Sequence, residues 1–169
     1  MNPPSKDHVE KVLREHRQFP GDYCAVSALE FTSKVYGLLE PDKFPLQSIS
    51  SNQHKGFDEQ SLQNLVLLSG HSKLYDIQCA VETIEKETSE GKCVSVSLRV
   101  FSNFGQIPIP DGYHILVSLL LDGQPTLIDP ATKRVRAQGK GDLTKVLQEN
   151  SLANPERKTI HMEILQAQK

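Results

Sequence analysis

Apolar residues in the first half of the chain recur every three to four positions, which is the periodicity of amphipathic helices. They predict four helices, over residues 7–16, 24–36, 58–69 and 76–89. Asp22 can cap the second helix, and Gly37 is the residue expected just beyond its end. The residues between the second and third helices have the composition of a loop, over 41–56.

The second half of the chain changes to the period-two alternation and short apolar runs of strands. Strands are predicted at 93–100, 113–121, 125–129 and 158–165. The second of these is almost continuously apolar, which is typical of a central strand buried on both faces. Pro108 and Pro110 indicate a loop over 102–112, and a short helix is predicted over 141–152.

Asp122-Gly123 is a strong signal for a two-residue hairpin turn. Such a turn pairs Leu121 with Gln124, and the rest of the register follows from that pair. His114 and Asp129 then become diagonal neighbours on one face of the sheet, roughly 7–8 Å apart at the backbone. A slip of one residue would separate them onto opposite faces, so the expectation depends on the turn type.

The order of helices first and strands afterwards predicts an α+β fold, with the helices packed on one side of an antiparallel sheet. The chain of 169 residues is expected to form one domain, spanning 1–169, that can bury a single core. Because the hydrophobic fraction is 37% and the charged fraction 24%, the composition is that of a globular protein.

The charge and hydropathy of the chain exclude several classes of partner. A net charge of −2 gives no basic patch for nucleic acid. The longest mostly apolar stretch, 115–121, is too short to span a bilayer, and the N-terminus lacks the apolar core of a signal peptide. The expected location is cytoplasmic, or exported without a Sec-type signal. Three cysteines without CxxC spacing favour free thiols over a disulfide framework or a metal site.

Four residues follow one another in the order that a thiol hydrolase requires. Gln18 precedes Cys24 by six residues, and Cys24 stands where the second helix is predicted to begin. A helix N-terminus stabilises negative charge, so this position favours a thiolate. His114 is the candidate base, and Asp129 would hold its ring in place. The Gln18 amide and the Cys24 backbone N–H would donate to the oxyanion of a tetrahedral intermediate. This chemistry needs no cofactor and no metal. The other two cysteines, Cys79 and Cys93, are expected to be core thiols.

This set resembles the papain-like cysteine peptidases, and most of all the bacteriocin-processing, double-glycine leader peptidase type. The similarity covers roughly residues 15–135. It consists of the Gln-x5-Cys loop, the helix that ends near Gly37, and a further helix over 62–69 that is followed by Gly70. It also includes the hairpin whose strands hold His114-Ile115-Leu116-Val117 and Leu127-Ile128-Asp129-Pro130. It implies a papain-like fold and a peptide or protein substrate. Ala25 departs from the pattern, because the family usually has Gly after the catalytic Cys.

The sequence leaves two alternative functions open, one enzymatic and one not. Transglutaminases and arylamine N-acetyltransferases share the Cys, His, Asp order and transfer the acyl group to an amine, and deamidation is a related outcome. A binding module that kept the fold and lost turnover is the other alternative. Substrate specificity is expected to depend on the predicted loops, 41–56 and 102–112.

Overall fold

The structure, a computed structural model, describes residues 4–16, 24–37, 67–69, 73–104, 107–153 and 159–167. Its helices are α1 (Lys6–Glu15), α2 (Cys24–Val35), α3 (Ile77–Ser89) and α4 (Lys140–Ala153). Its strands are β1 (Leu67–Ser69), β2 (Lys73–Asp76), β3 (Cys93–Phe104), β4 (Ile107–Leu121), β5 (Gln124–Asp129), β6 (Arg134–Gln138) and β7 (Thr159–Ala167). The four helices agree with predicted ones to within a few residues. Ser5 caps α1 and Asp76 caps α3, each with its side chain accepting a backbone N–H.

The strands form one antiparallel sheet in the order β1-β7-β3-β4-β5-β6, and β2 also pairs with β7. The predicted α+β architecture with an antiparallel sheet is therefore confirmed. β4 lies between β3 and β5, as its continuous apolar run indicates. Residues 115–119 of this strand are all buried, because the sheet is covered on both faces there.

The turn between β4 and β5 has the predicted form. Asp122 and Gly123 both have positive φ, 55° and 73°, which is the combination of a type I′ turn. Leu121 pairs with Gln124, and the same register continues to Val117 with Ile128. The predicted hairpin register is thus confirmed, and it determines which β4 and β5 side chains become neighbours.

One face of the sheet packs against α3 and α4 through an apolar core. From the helices it contains Ala80, Val81, Ile84, Leu143 and Leu147. From the strands it contains Val94, Val96, Leu98, Leu116, Leu127, Ala137, Ile160 and Met162. We call this the α3–α4 face. Its side chains come from alternate strand positions, as the pleat requires.

The other face of the sheet packs against α2. Thr32 of α2 lies with its Oγ1 3.7 Å from the Sγ of Cys93. Cys93 and Val94 are consecutive in β3 and point to opposite faces, and Val94 belongs to the α3–α4 core. The prediction that the helices pack on one side is therefore wrong. Residues 93–98 are buried without interruption, and a strand that is buried at every position needs a layer on each side.

The loop predicted over 102–112 is also wrong, because β3 continues to Phe104 and β4 already begins at Ile107. Pro108 and Pro110 pair with Asn103 and Phe101 of β3, while β5 pairs with β4 only from Val117 onwards. Within the described residues this part of β4 has a partner on one side, which is where a strand tolerates proline.

The helix predicted over 58–69 is corrected at its end, where Leu67–Ser69 form β1 and pair with β7. Residues 58–66 lie outside the described part of the chain, as does the predicted loop over 41–56. A short apolar run does not distinguish a helix end from a strand, which explains the error. The short strands β2 and β6, with four and five residues, were not predicted from the sequence.

Candidate active site

The structure describes the four candidate residues to different extents. Gln18 lies outside the described residues. Cys24 is the first residue of α2, and its side chain lies outside the described part. His114 is in β4 and Asp129 is the last residue of β5, both with their side chains described.

His114 and Asp129 are joined by a hydrogen bond. The His114 Nε2 lies 2.9 Å from the Asp129 Oδ2. The Asp129 side chain is 1% exposed and the His114 side chain 27% exposed, so the bond connects a buried carboxylate to an imidazole that solvent reaches. This contact agrees with the expectation that the hairpin register brings the two side chains together. The bond to Nε2 directs the Nδ1 side of the ring away from the carboxylate.

Backbone donors hold the other oxygen of Asp129. Its Oδ1 accepts hydrogen bonds from the N–H of Ala131 at 3.1 Å and from the N–H of Thr132 at 3.4 Å. Burial alone would raise the pKa of Asp129, but the hydrogen bond and charge of His114 and the contacts with Thr132 hold this pKa below its ordinary value. The carboxylate is therefore ionised and oriented at neutral pH.

Arg136 is a further charged contact of Asp129 that the sequence analysis missed. Its Nη1 lies 3.8 Å from the Asp129 Oδ2, the same oxygen that accepts from His114. The sequence carries no signal for this contact, because Arg136 reaches Asp129 through an irregularity in the pairing of β5 and β6. Only the register of the folded sheet reveals it.

The direction of α2 follows from its contacts with α1. His8 near the start of α1 binds the carbonyl of Val35 through its Nε2 at 2.9 Å. His16, at the end of α1, binds the Ser27 hydroxyl through its Nε2 at 2.8 Å. The two helices therefore run antiparallel, and the end of α2 that holds Cys24 lies beside the end of α1.

Contacts between α1 and the hairpin then locate the Cys24 end relative to Asp129. Lys6, at the start of α1, forms an ion pair with Asp122 in the β4–β5 turn at 3.2 Å. At the other end, the Lys133 ammonium donates to the carbonyl of Arg14 at 3.0 Å. Lys133 follows β5 and Asp122 precedes it, so α1 runs in the direction of β5. The Cys24 end of α2 consequently lies at the same end of β5 as Asp129.

The other two cysteines differ in environment from a catalytic thiol. Cys93 is fully buried, as expected, and burial raises the pKa of its thiol to about 12. Cys79 is exposed on α3, so the expectation of a core thiol is wrong for it. The hydrogen bond with Asp76 and the negative charge of that residue raise the pKa of Cys79. Neither of these thiols is favoured as a thiolate at neutral pH.

No protein family, curated protein or solved structure matches this chain. Among the described residues, no helix has both the length and the apolar character needed to cross a membrane. Within the same part of the chain, His, Cys, Asp and Glu residues form no group of three that could hold a metal ion.

Proposed function

We propose that this protein is a thiol hydrolase, a cysteine peptidase or amidase of papain-like fold that acts on a peptide or protein substrate. The observation that carries the proposal is the 2.9 Å hydrogen bond between His114 and Asp129, at the end of β5 where α2 begins with Cys24. A thiol at a helix N-terminus that pairs with an oriented imidazole forms a nucleophilic thiolate, and Cys24 and His114 are the residues proposed for these two roles.

Each residue of the proposed site has a separate role. Cys24 attacks the substrate carbonyl as a thiolate, while the imidazolium of His114 gives its proton to the leaving amine. His114 then takes a proton from water, which attacks the acyl-enzyme and releases the carboxylic acid. Asp129 fixes the ring and its tautomer, and Gln18 with the Cys24 N–H donates to the oxyanion.

The polarity of the His114–Asp129 pair supports this assignment of roles. Because the Nε2 of His114 bonds to Asp129, the proposed mechanism assigns proton exchange with the thiol to the Nδ1 atom. Asp129 has a lowered pKa and two backbone donors, so it stays an anion while the imidazole changes charge. That is the behaviour expected of a group that orients a base without taking the proton itself.

Selective alkylation tests the proposed ion pair without a known substrate. Iodoacetamide at mildly acidic pH reacts with a thiolate, whereas a thiol with a pKa near ~8.5 is almost inert. We expect Cys24 to label fast in the wild type, and Cys79 and Cys93 to label slowly as internal controls in the same molecule. His114→Ala should reduce labelling of Cys24 to the rate of Cys79.

The result that contradicts the proposal is equally specific. If Cys24 labels as slowly as Cys79 in the wild type, or if His114→Ala leaves its fast labelling unchanged, no thiolate–imidazolium pair forms. A binding module would then be the better assignment. A folded state equal to that of the wild type, measured by circular dichroism, makes the comparison with His114→Ala valid.

Mass spectrometry of peptide substrates separates the reactions that this site could perform. Hydrolysis yields two shorter peptides, deamidation changes the substrate mass by the small difference between an amide and an acid, and acyl transfer adds the mass of a supplied amine. We expect cleavage products that disappear in Cys24→Ala and persist in Cys79→Ala. Products that survive Cys24→Ala would refute the nucleophile.

A further inference from the structure

The pairing of β5 with β6 contains a bulge at Arg136. Leu127 pairs with Ala137 and Ile128 pairs with Val135, so two neighbouring residues of β5 oppose three of β6. Arg136 is the extra residue. A β-bulge of this kind locally breaks the alternation of side chains and redirects the inserted residue.

The bulge has a visible effect on where the β6 side chains lie. Ala137 is buried in the α3–α4 core beside its partner Leu127, whereas Val135 is 50% exposed. Arg136 stands between them, and its Nη1 reaches to 3.8 Å from the Oδ2 of Asp129. The bulge therefore lets β6 supply a buried core residue and a cation to Asp129 from consecutive positions.

A permanent cation therefore lies near the same carboxylate oxygen that bonds to His114. The Asp129 Oδ2 accepts from the His114 Nε2 at 2.9 Å and lies near the Arg136 guanidinium, while its Oδ1 is held by backbone N–H groups. Arg136 is always charged, whereas His114 is charged only when protonated. A fixed cation beside the carboxylate weakens the attraction that Asp129 exerts on an imidazolium.

We infer that Arg136 is a positioning residue of the site, which shares the Asp129 carboxylate with His114 and thereby keeps the imidazolium acidic enough to give up its proton. This inference deepens the proposed function and rests on it for its catalytic meaning. The contact itself is independent of any reaction. In the proposed mechanism the proton moves from His114 to the leaving amine, and the fixed charge of Arg136 opposes its retention on the ring.

Other charged groups near the pair set the controls. Arg134 pairs with Asp129 through the backbone in the β5–β6 ladder. The Lys133 ammonium is directed towards α1, where it donates to the Arg14 carbonyl. Cys24 begins α2 at this end of the sheet and would contribute a negative charge as a thiolate. Arg134→Gln is therefore the matched control, since it removes the same charge from the same strand.

The test is an NMR titration of the His114 ring in a Cys24→Ala background, which removes the thiolate from the electrostatics. The His114 resonance is assigned by its loss in His114→Gln. We expect Arg136→Gln to raise the midpoint of this titration by about half a pH unit, which is the scale of a partly exposed ion pair. Arg136→Lys should restore most of the wild-type value, and Arg134→Gln should shift it less than Arg136→Gln does.

The same variants in the Cys24-containing protein provide a kinetic readout. The alkaline limb of kcat/KM reports loss of the imidazolium proton, so Arg136→Gln should move this limb to higher pH and Arg136→Lys should not. An unchanged or lowered NMR midpoint in Arg136→Gln overturns the inference, as does an equal shift in Arg134→Gln. If the NMR shift occurs but Cys24 shows no selective alkylation, the inference stands and the proposed function fails. If the enzyme is active but Arg136→Gln leaves the His114 midpoint unchanged, the inference fails and the proposed function stands.

Discussion

The two faces of the sheet are built from different chemistry. The α3–α4 face buries aliphatic side chains such as Ile84, Leu116 and Leu147. On the face that packs against α2, polar residues are buried as well. They include Ser27, Glu30, Thr32 and Ser33 of α2 and Ser95 and Ser97 of β3. The first face is stabilised by burial of apolar area, and the second depends also on directional hydrogen bonds.

This difference separates stability from orientation. Aliphatic contacts are non-directional, so the α3–α4 core favours a compact layer without fixing a single geometry by itself. Hydrogen bonds such as those of His8 with Val35 and His16 with Ser27 specify one position of α1 on α2. The helix that begins with Cys24 is thereby oriented by polar contacts, while α3 and α4 pack on the sheet through aliphatic contacts.

The largest effect is expected for Ile84→Ala on the α3–α4 face. Ile84 is fully buried, and its truncation removes apolar contacts and leaves a cavity. We expect the free energy of unfolding to fall by about 2–5 kcal/mol, measured by urea denaturation. A loss below ~1 kcal/mol would mean that this core collapses around the cavity and that the two faces differ less than their composition indicates.

A smaller loss is expected for Ser27→Ala on the α2 face. The substitution removes the hydroxyl that lies 2.8 Å from the Nε2 of His16, which is 1% exposed. A buried imidazole nitrogen that loses its hydrogen bond destabilises the fold by about 1–3 kcal/mol. The measurement is again urea denaturation, with exposed Ser89→Ala as the control that should change little. A neutral result would show that polar contacts do not orient α1 on α2.

Asp129 makes the stability of the fold depend on pH, which the aliphatic residues of the two faces do not. Because its pKa is lower in the folded protein than in the unfolded chain, its contribution is complete above the unfolded pKa, about 3.9, and is lost as the pH falls through the folded value. We expect thermal stability to fall with acidification less steeply in Asp129→Asn than in the wild type. Equal slopes would contradict an ionised, hydrogen-bonded Asp129.

The smallest effect is expected for Lys6→Gln. The ion pair of Lys6 with Asp122 connects α1 to the β4–β5 turn, but both side chains are largely exposed and solvent screens their attraction. We expect no measurable change in the thermal midpoint at physiological salt. A clear decrease would show that surface charge, rather than the hydrogen bonds of His8 and His16, holds α1 in place.

Local signals account for the elements that the sequence predicted well. Apolar spacing predicted α1, α2 and α3, and Asp122-Gly123 predicted the hairpin register, whereas the Asp22 cap predicted for α2 lies outside the described residues. That register was enough to predict that His114 and Asp129 are neighbours, since pairing in a two-residue hairpin follows from the turn alone. The Gln18 and Cys24 side chains remain sequence predictions.

Long-range pairing decided what the sequence did not. Pro108 and Pro110 fit within β4 because of where β5 stops pairing, and Arg136 reaches Asp129 because β6 bulges against β5. The packing of α2 on the face opposite α3 and α4 is likewise a property of the assembled layers. A sequence determines its own periodicity, caps and turns, because these depend on nearby residues. Two features depend on segments far apart in the chain: where a strand has a partner on only one side, and which cation lies near a carboxylate. Only the tertiary structure therefore sets them.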